Sequence, residues 1–513
     1  MPFGWAGQIL DVDLATGRTS IRDTTTYARD YLGGRLLASR IAYDEIPAGC
    51  DAFASENRII IATGPLTGTL APTTGRTIMA SVSPRTYPRP WYTHSTLGGW
   101  FGPALKYAGY DAIVIRGQAP APVYLDVHDD KAELIDASSL WGMGTRDVQL
   151  ALRRRLGEQA QVLAIGPAGE NLVRFSTVHH AEENAAAHSG FGAVWGAKKL
   201  KAIAVRGSGG VAVADRDALL EEILRFGKGK ITYGYAWMSD EERTKRRPVC
   251  SQACTFTCTE ASYTRALDGR LQPGFCIGLV YIDDKYMDGT AYDGGGVHIP
   301  RSANMGAESE AFLHELCNNL GLDLWFRIVM QPWFLRCLEL GIREIRGFAL
   351  APNDPEWLAG LSQQLSSRQG LGAVFADDMR RAMDALASEL PAELIELGHA
   401  LEFDFGFPAH REGRFWDEEP LPFWVISAMM HASESRDPTI GSHQSSLLLA
   451  DLILSDPQRA RPRLRALSER VWGDPEALAP TFANKAPVAI WSQHQHMLID
   501  SLPLCDFAFP QLV

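Results

Sequence analysis

Apolar residues run in short β-branched blocks through the first two hundred positions and switch to a spacing of three and four beyond them. The blocks at 58–61, 110–115, 123–127 and 202–205 are punctuated by glycine and fit a pleated surface, so each predicts a strand. Residues 8–14 alternate, Thr16-Gly17 supplies turn chemistry, and 19–21 alternate again, which predicts a hairpin. After Gly209-Gly210, apolar positions recur at helical spacing in 217–226, 308–322, 326–340 and 375–390. Pro352, Pro355, Pro391, Pro408, Pro420 and Pro422 punctuate these segments as helix stops or loop residues. No repeat of fixed period and no low-complexity tract is visible. The expectation is an α+β chain with a β-rich domain over 1–208, a helical domain over 209–395 and a helical domain over 396–513.

Composition narrows the function classes. The chain has 513 residues, 46% hydrophobic and 21% charged, enough for a large core divided into two or three lobes. Its 49 Lys+Arg against 61 Asp+Glu give a net charge of −12, and Lys245-Arg246-Arg247 is a short basic cluster in a chain without a long basic block. A nucleic-acid partner, which demands a basic face, is not expected. Nor is a membrane span, because no apolar run reaches the roughly 18 residues required. The N-terminus lacks the charged and apolar regions of a secretory signal, and the eight cysteines are unevenly spaced, so a reducing cytoplasm is the expected location.

Two features carry chemistry. Glycines cluster at Gly33-Gly34, Gly64 to Gly68, Gly98-Gly99 to Gly102, Gly166 to Gly169 and Gly190 to Gly196. Singly these read as tight turns; together they suggest backbone N–H groups brought close to a large phosphorylated ligand. None forms a dinucleotide fingerprint. Cys250, Cys254 and Cys258 stand four residues apart, so three sulfurs can face one centre, and Cys505 is the candidate for a fourth. Zinc would favour paired Cys-x-x-Cys knuckles, which are absent here. The basic cluster just upstream suits an anionic iron–sulfur cluster, while Cys50, Cys276, Cys317 and Cys337 read as core residues.

In this setting the chain resembles the aldehyde ferredoxin oxidoreductase family. The resemblance rests on Tyr31-Leu32-Gly33-Gly34-Arg35, Ala62-Thr63-Gly64-Pro65-Leu66-Thr67-Gly68, Gly75-Arg76, Gly98-Gly99-Trp100-Phe101-Gly102, Gly109-Tyr110-Asp111, Gly166-Pro167-Ala168-Gly169-Glu170-Asn171 and Gly192 through Ile203. It implies two β-sheets cradling a tungsten or molybdenum bis-pyranopterin, with helical domains closing over them. It also implies a [4Fe–4S] cluster on Cys250, Cys254, Cys258 and Cys505. The family pattern Asp-x-x-Gly-Leu-Asp/Cys is similar to Asn318 through Asp323 and to Asp500 through Cys505. Asn318, Gly321, Leu322, Asp323, Asp500 and Leu504 are thereby implied in pterin binding, with Arg76, Gly98, Gly99, Ala187, Gly190 and Gly192. Asn318 stands where the pattern has Asp and keeps an acceptor oxygen without the charge. Pro503 stands where it has Gly, removing a donor and fixing φ near −65°. A Mg2+ bridging the pterin phosphates would fall near Ser95 and the carbonyl around Ala187.

The implied reaction is aldehyde oxidation to a carboxylic acid, or the reverse, on a small-molecule substrate, with electrons passing to ferredoxin or an iron–sulfur partner subunit. It releases protons, for which His443 and His410 are the implied acceptors and Asp293 the nearest carboxylate. The family's Glu segment is replaced here by Gly289 through Gly294, pointing to a different substrate or proton route. The pattern ends soon after Cys505, which implies an open substrate path or a partner that covers it. A homodimer follows from the resemblance alone. A carboxylic-acid or thioester reductase subunit, and a degenerate electron-transfer or structural subunit, are the alternatives.

Overall fold

The computed structural model describes residues 3–181, 183–226, 250–254, 262–265, 271–274, 292–294, 297–300, 305–324, 326–401, 426, 429, 457–479, 481 and 483–505. Its first part holds two six-stranded sheets. In the first, β1 (Gln8–Asp13) and β2 (Arg18–Asp23) form the expected hairpin, and β3 (Ile59–Ala62), β4 (Thr77–Ser83), β5 (Trp91–Leu97) and β6 (Ala112–Arg116) complete the order β2-β1-β6-β3-β4-β5. The second contains β7 (Val123–His128), β8 (Lys131–Asp136), β9 (Gln161–Ile165), β10 (Val178–His180), β11 (Asn184–Ala186) and β12 (Leu200–Arg206). Its order is β8-β7-β12-β9-β10-β11.

The second sheet repeats the first. Each opens with an antiparallel hairpin whose first strand pairs parallel to the last strand of its set, β1 with β6 and β7 with β12. Each continues through three antiparallel pairings to an edge at β5 or β11. Helix Gly34–Glu45 lies between β2 and β3 as Thr145–Leu156 lies between β8 and β9, and Phe101–Tyr107 precedes β6 as Phe191–Ala197 precedes β12. A repeat is therefore present where the sequence shows no fixed period. The connections differ in length, with 84–90 between β4 and β5 but only 181–183 between β10 and β11, and that removes the period.

Alternation along the strands builds three packed layers. Ile59, Ile61, Ile113 and Ile115 share one core with Leu163, Ile165, Ile203 and Val205 of the other sheet and with Phe101, Phe191 and Trp195 of the short helices. The opposite faces, Ile60, Ala62 and Val114 or Val162, Ala164 and Ala204, are covered by Leu37 and Ile41 or by Val148 and Leu152 of the long helices. Each of the Val, Leu and Ile side chains among these, nearly inaccessible, contributes about 1.5–3 kcal/mol by leaving water.

The helical part follows the expected spacing with one change. Ala307–Leu320, Phe326–Glu339, Pro355–Ser367 and Ala392–Leu401 pack around Trp333, Phe334 and Phe375, whose rings meet edge to face at 5.1–5.6 Å. The helix expected over 375–390 is instead split into Gly372–Phe375 and Met379–Leu386, because Asp378, at φ 84°, breaks the chain and caps the second piece by accepting from Arg381 N. Ala168, Val173 and Phe175 of the β-rich part belong to this core, so the helices sit on the second sheet's end. Pro457–Trp472 and Lys485–Ser501 share a smaller core around Leu464, Leu478 and Val488. Among the described residues no helix is long and apolar enough to cross a membrane.

His180 on β10 shows how tightly the sheet turns are specified. Its Nδ1 donates to Val162 O at 2.9 Å and its Nε2 accepts from Trp100 N at 3.0 Å, an arrangement that needs the neutral ring. Burial holds its pKa down at about 4, against the pull of the Val162 carbonyl and with help from Arg153. From about pH 6.5 down to 4 the unfolded chain thus takes up a proton that the folded chain does not, and stability falls as the pH falls, by up to about 1.4 kcal/mol per pH unit. His180→Gln, whose amide can donate and accept along the same directions, is expected to flatten the slope of denaturant stability against pH by about one proton. An unchanged slope contradicts this reading.

Candidate functional site

Two helix ends meet the two sheets in the same way. Helix Ala307–Leu320 ends at Gly321, which is left-handed at φ 77° and ψ 33°, and Leu322 N closes the end on Cys317 O at 2.9 Å. Helix Lys485–Ser501 ends at Leu502, and Leu504 N closes on Ile499 O at 2.9 Å, five residues back in both cases. Pro503 stands where Gly321 does, and the closure is kept.

Each end docks on a Gly-Pro turn and a helix start. Thr145 Oγ1 donates to Asn318 O at 2.8 Å and Arg146 N to Asn319 Oδ1 at 3.0 Å, just as Leu36 N donates to Ser501 Oγ at 3.3 Å. A Cβ on Gly64 would lie 2.4 Å from Pro503 Cδ, and one on Gly166 would lie 2.4 Å from Leu320 O. These glycines are therefore spent on protein–protein contact. The N–H groups of Gly99 and Gly192 likewise donate within the chain, to Cys250 O at 2.8 Å and Ser176 O at 3.1 Å, rather than pointing at an anion.

The polar side chains differ between the two halves. Asp500 Oδ2 lies 3.0 Å from His94 Nε2 on β5 and 3.4 Å from Arg35 Nη1. Burial alone would raise the Asp500 carboxyl, but the His94 ring, with Arg35 and His496, outweighs it and holds the carboxyl well below the usual range. In the other half Asn318 Nδ2 donates to Glu183 Oε2 at 3.4 Å, and His314 Nε2 contacts the same oxygen. Asp323 Oδ2 accepts from His188 N at 2.8 Å and from Arg85 Nη1 at 3.2 Å, tying the end of helix Ala307–Leu320 to the loop after β4. His179, hydrogen-bonded to Thr177 Oγ1 at 2.7 Å, is held neutral, its pKa at about 3, by burial and by nearby His314 against the attraction of Asp323.

The halves meet at their edge strands. Ser95 Oγ on β5 donates to Ala187 O at 2.8 Å, so the two groups expected near a bridging Mg2+ are adjacent and already bonded to each other. Arg76 Nε donates to Thr96 Oγ1 at 2.9 Å and the guanidinium also reaches Cys250 electrostatically. Residues 250–254 form a turn, not a helix, laid against Gly99 and Thr73: Gln252 N donates to Gly99 O at 3.1 Å and Thr73 N to Ala253 O at 3.3 Å. Hydrogen bonding to Cys254, then burial, push the Cys250 thiol far above its usual range, with Arg76 acting the other way. The loop from Gly64 to Gly75 thus carries the Pro503 segment at one end and the cysteine turn at the other. Cys505, half-buried, lies two residues beyond Pro503.

These residues fit an electron-poor metal group and a polar heterocycle. Two neighbouring thiols beside a guanidinium are a soft donor set. Thr73 Oγ1, Thr77 Oγ1 and Gln252 Oε1 near the cysteines, and Ser176 Oγ, His179 Nδ1 and His314 Nδ1 in the other half, are buried without a hydrogen bond among the described residues. Cys258, His410 and His443 lie outside the described residues, as does the Asp293 side chain, whose backbone pairs with His298 in a short hairpin. Sequence reasoning missed His94, Arg35, Glu183, Arg85 and His314. One signal was available: a histidine stands four residues before Asn318 and four before Asp500.

Comparison with known proteins agrees with this architecture. The family model for the N-terminal domain of aldehyde ferredoxin oxidoreductase matches residues 9–207. The chain is 44% identical over 225 residues to a tungsten-containing aldehyde ferredoxin oxidoreductase of Pyrococcus abyssi, a match covering 43% of this chain and 36% of that protein, so it spans little more than a third of that relative. It is 33% identical over 436 residues to the WOR-like subunit of an aliphatic sulfonate oxidoreductase of Pyrococcus furiosus, covering 74% of this chain and 67% of that one. In three dimensions it is similar to the active-site complex BamBC of benzoyl coenzyme A reductase bound to 1,5-dienoyl-CoA, with a TM-score of 0.76 at 22% identity over 99% of this chain and 83% of that one, which speaks for the fold alone.

The docking predicts a contrast between two glycines. Gly64→Ala is expected to lose about 1–3 kcal/mol, because its methyl would enter the Pro503 ring. Gly360→Ala, with nothing within 4 Å of its Cβ in helix Pro355–Ser367, is expected to gain about 0.5–1 kcal/mol. Equal effects in denaturant unfolding contradict backbone-to-backbone docking.

Proposed function

The chain belongs to the aldehyde ferredoxin oxidoreductase family, and on that premise we propose that it is an oxidoreductase whose two sheet ends hold a tungsten or molybdenum bis-pyranopterin. The observation that carries this reading is the pair of equivalent helix ends, at Asn318–Asp323 and Asp500–Cys505, docked on equivalent turns of two equivalent sheets. A ligand made of two like halves suits a site made of two like halves. Such a cofactor would supply two-electron oxidation–reduction at its metal, and a separate iron–sulfur cluster would supply one-electron relay.

The chain's own residues bind and position. Asp500, kept ionised by His94 and Arg35, accepts from ligand N–H groups on one side. On the other side Asp323, fixed by Arg85 and the His188 N–H, holds the turn through which Leu322 and Gly321 are presented. Cys250, Cys254, Cys258 and Cys505 are the proposed ligands of a [4Fe–4S] cluster, and Arg76, between Thr96 and Cys250, offsets its negative charge. Ser95 and Ala187 O are the proposed place of a Mg2+.

Oxidising an aldehyde with water to an acid releases two electrons and two protons. His443 is the proposed proton acceptor, with His410 and Asp293 as its alternates. A cluster held by these cysteines would supply the one-electron path to ferredoxin or a partner iron–sulfur subunit; the similarity to a WOR-like subunit supports a place in a larger assembly. The same residues serve the reverse reaction, reduction of an acid or thioester.

Protein purified without oxygen from a host that supplies the cofactor is expected to show a cluster electron paramagnetic signal and to reduce a viologen dye when given aldehydes. Cys254→Ser should lower both at least roughly tenfold, as loss of a thiolate ligand removes cluster affinity. Full dye reduction by Cys254→Ser contradicts the cluster assignment, and wild-type protein lacking both signal and dye reduction favours a structural subunit.

A further inference from the structure

The two halves are equivalent in backbone and unequal in charge. Asp500 carries its carboxylate on the helix end itself, whereas the equivalent position holds Asn318, a neutral amide. The carboxylate of that half arrives from the strand side, on Glu183 in the turn between β10 and β11. Asn318 Nδ2 donates to Glu183 Oε2 at 3.4 Å, and His314, one helical turn earlier, holds the same oxygen through Nε2. The Glu183 side chain is 1% exposed and that of His314 2%. An Asp at 318 would press a second carboxylate against the oxygen that Asn318 Nδ2 now donates to, so the amide and the glutamate suit each other.

This cluster is built for something the chain does not supply. Beside it, Ser176 Oγ, His179 Nδ1 and His314 Nδ1 are buried without a hydrogen bond among the described residues, a cost that folding leaves for a ligand to relieve. The cluster faces the same helix end as Asp323, and its place corresponds to the one that His94 and Asp500 fill in the other half.

We propose that Glu183 is the anionic binding group of the second-sheet half, accepting from the adjacent N–H donors of an amino-pyrimidinone ring, with Asn318 and His314 as the positioning residues that orient its carboxylate. The inference rests on the pterin-binding reading. It assigns the charge missing at residue 318 to residue 183: the acceptor has changed element, and the place that Asp500 fills in the other half keeps a carboxylate.

A charge swap tests it. Full-length chain is purified without oxygen from a host that makes the cofactor, and released fluorescent pterin, tungsten and molybdenum are counted per chain for wild type, Glu183→Gln, Asn318→Asp and the double variant, with melting temperature and circular dichroism beside them. Glu183→Gln, which removes the carboxylate, and Asn318→Asp, which places two together, should each lower retained pterin roughly tenfold, as losing or crowding one charge-assisted bond implies. The double variant returns one carboxylate to the half, on the helix end as at Asp500, and should recover to within about threefold of wild type. If Glu183→Gln does not fold, Asn318→Asp against the double variant carries the same comparison. Wild-type pterin in folded Glu183→Gln, or a folded double variant no better than Asn318→Asp, overturns the inference alone. Wild type free of pterin overturns it together with the pterin-binding reading.

Discussion

A Cβ on Gly34 would lie 2.2 Å from the Asp500 carbonyl oxygen, and one on Gly166 would lie 2.4 Å from that of Leu320. Helix end and sheet turn therefore meet backbone to backbone in both halves, and everything else in the site is placed by that contact. Gly34, at φ 42°, can take both the conformation and the approach; a residue with a side chain can take neither. Once the helix ends are seated, Asp500 falls against His94, Asn318 against Glu183, and Asp323 against Arg85 and the His188 N–H. The cysteine turn is added to the same frame through Gly99 and Thr73.

The electrostatics follow from burial at this junction. Carboxylates taken out of water must be met by donors, and each here is met by more than one, which fixes its direction as well as its charge. Breaking one such buried partnership by removing a single partner costs about 3–5 kcal/mol, so the polar groups proposed to meet a ligand also hold the helical domains to the sheets. Binding and assembly are thereby coupled through the same atoms. Lys198 and Lys201 are buried and serve the frame: Lys198, just past the helix Phe191–Ala197, donates to the carbonyls of Ala54, Ser55 and Gly117 in the first-sheet half, and Lys201 on β12 bonds Met143 O, Ile165 O and Glu170 within the second.

Much of this was legible. The blocks at 58–61, 110–115, 123–127 and 202–205 are strands, and the helical spacings at 217–226, 308–322 and 326–340 are helices, because each pattern is long and bounded by clear stop residues. The family was legible in the ordered glycine motifs, since close backbone approach leaves no substitute for glycine. Within the chain, Gly64 and Gly166 make room for helix ends, and the N–H groups of Gly99 and Gly192 donate to Cys250 O and Ser176 O. The duplicated sheet was illegible because its loops differ in length, and the compensation of Asn318 by Glu183 was illegible because 135 residues separate them. Asp378 broke an expected helix through a backbone conformation that hydrophobic spacing does not encode.

The central claim is that two equivalent half-sites face each other across the β5 and β11 edges. The most direct test is the ratio of pterin to tungsten plus molybdenum in anaerobically purified wild-type chain, measured by fluorescence of the oxidised pterin and by metal analysis. Two pterins per metal, with one metal per chain, is the predicted result. One pterin per metal, or metal without pterin, contradicts the account, because one of two like halves would then have nothing to bind.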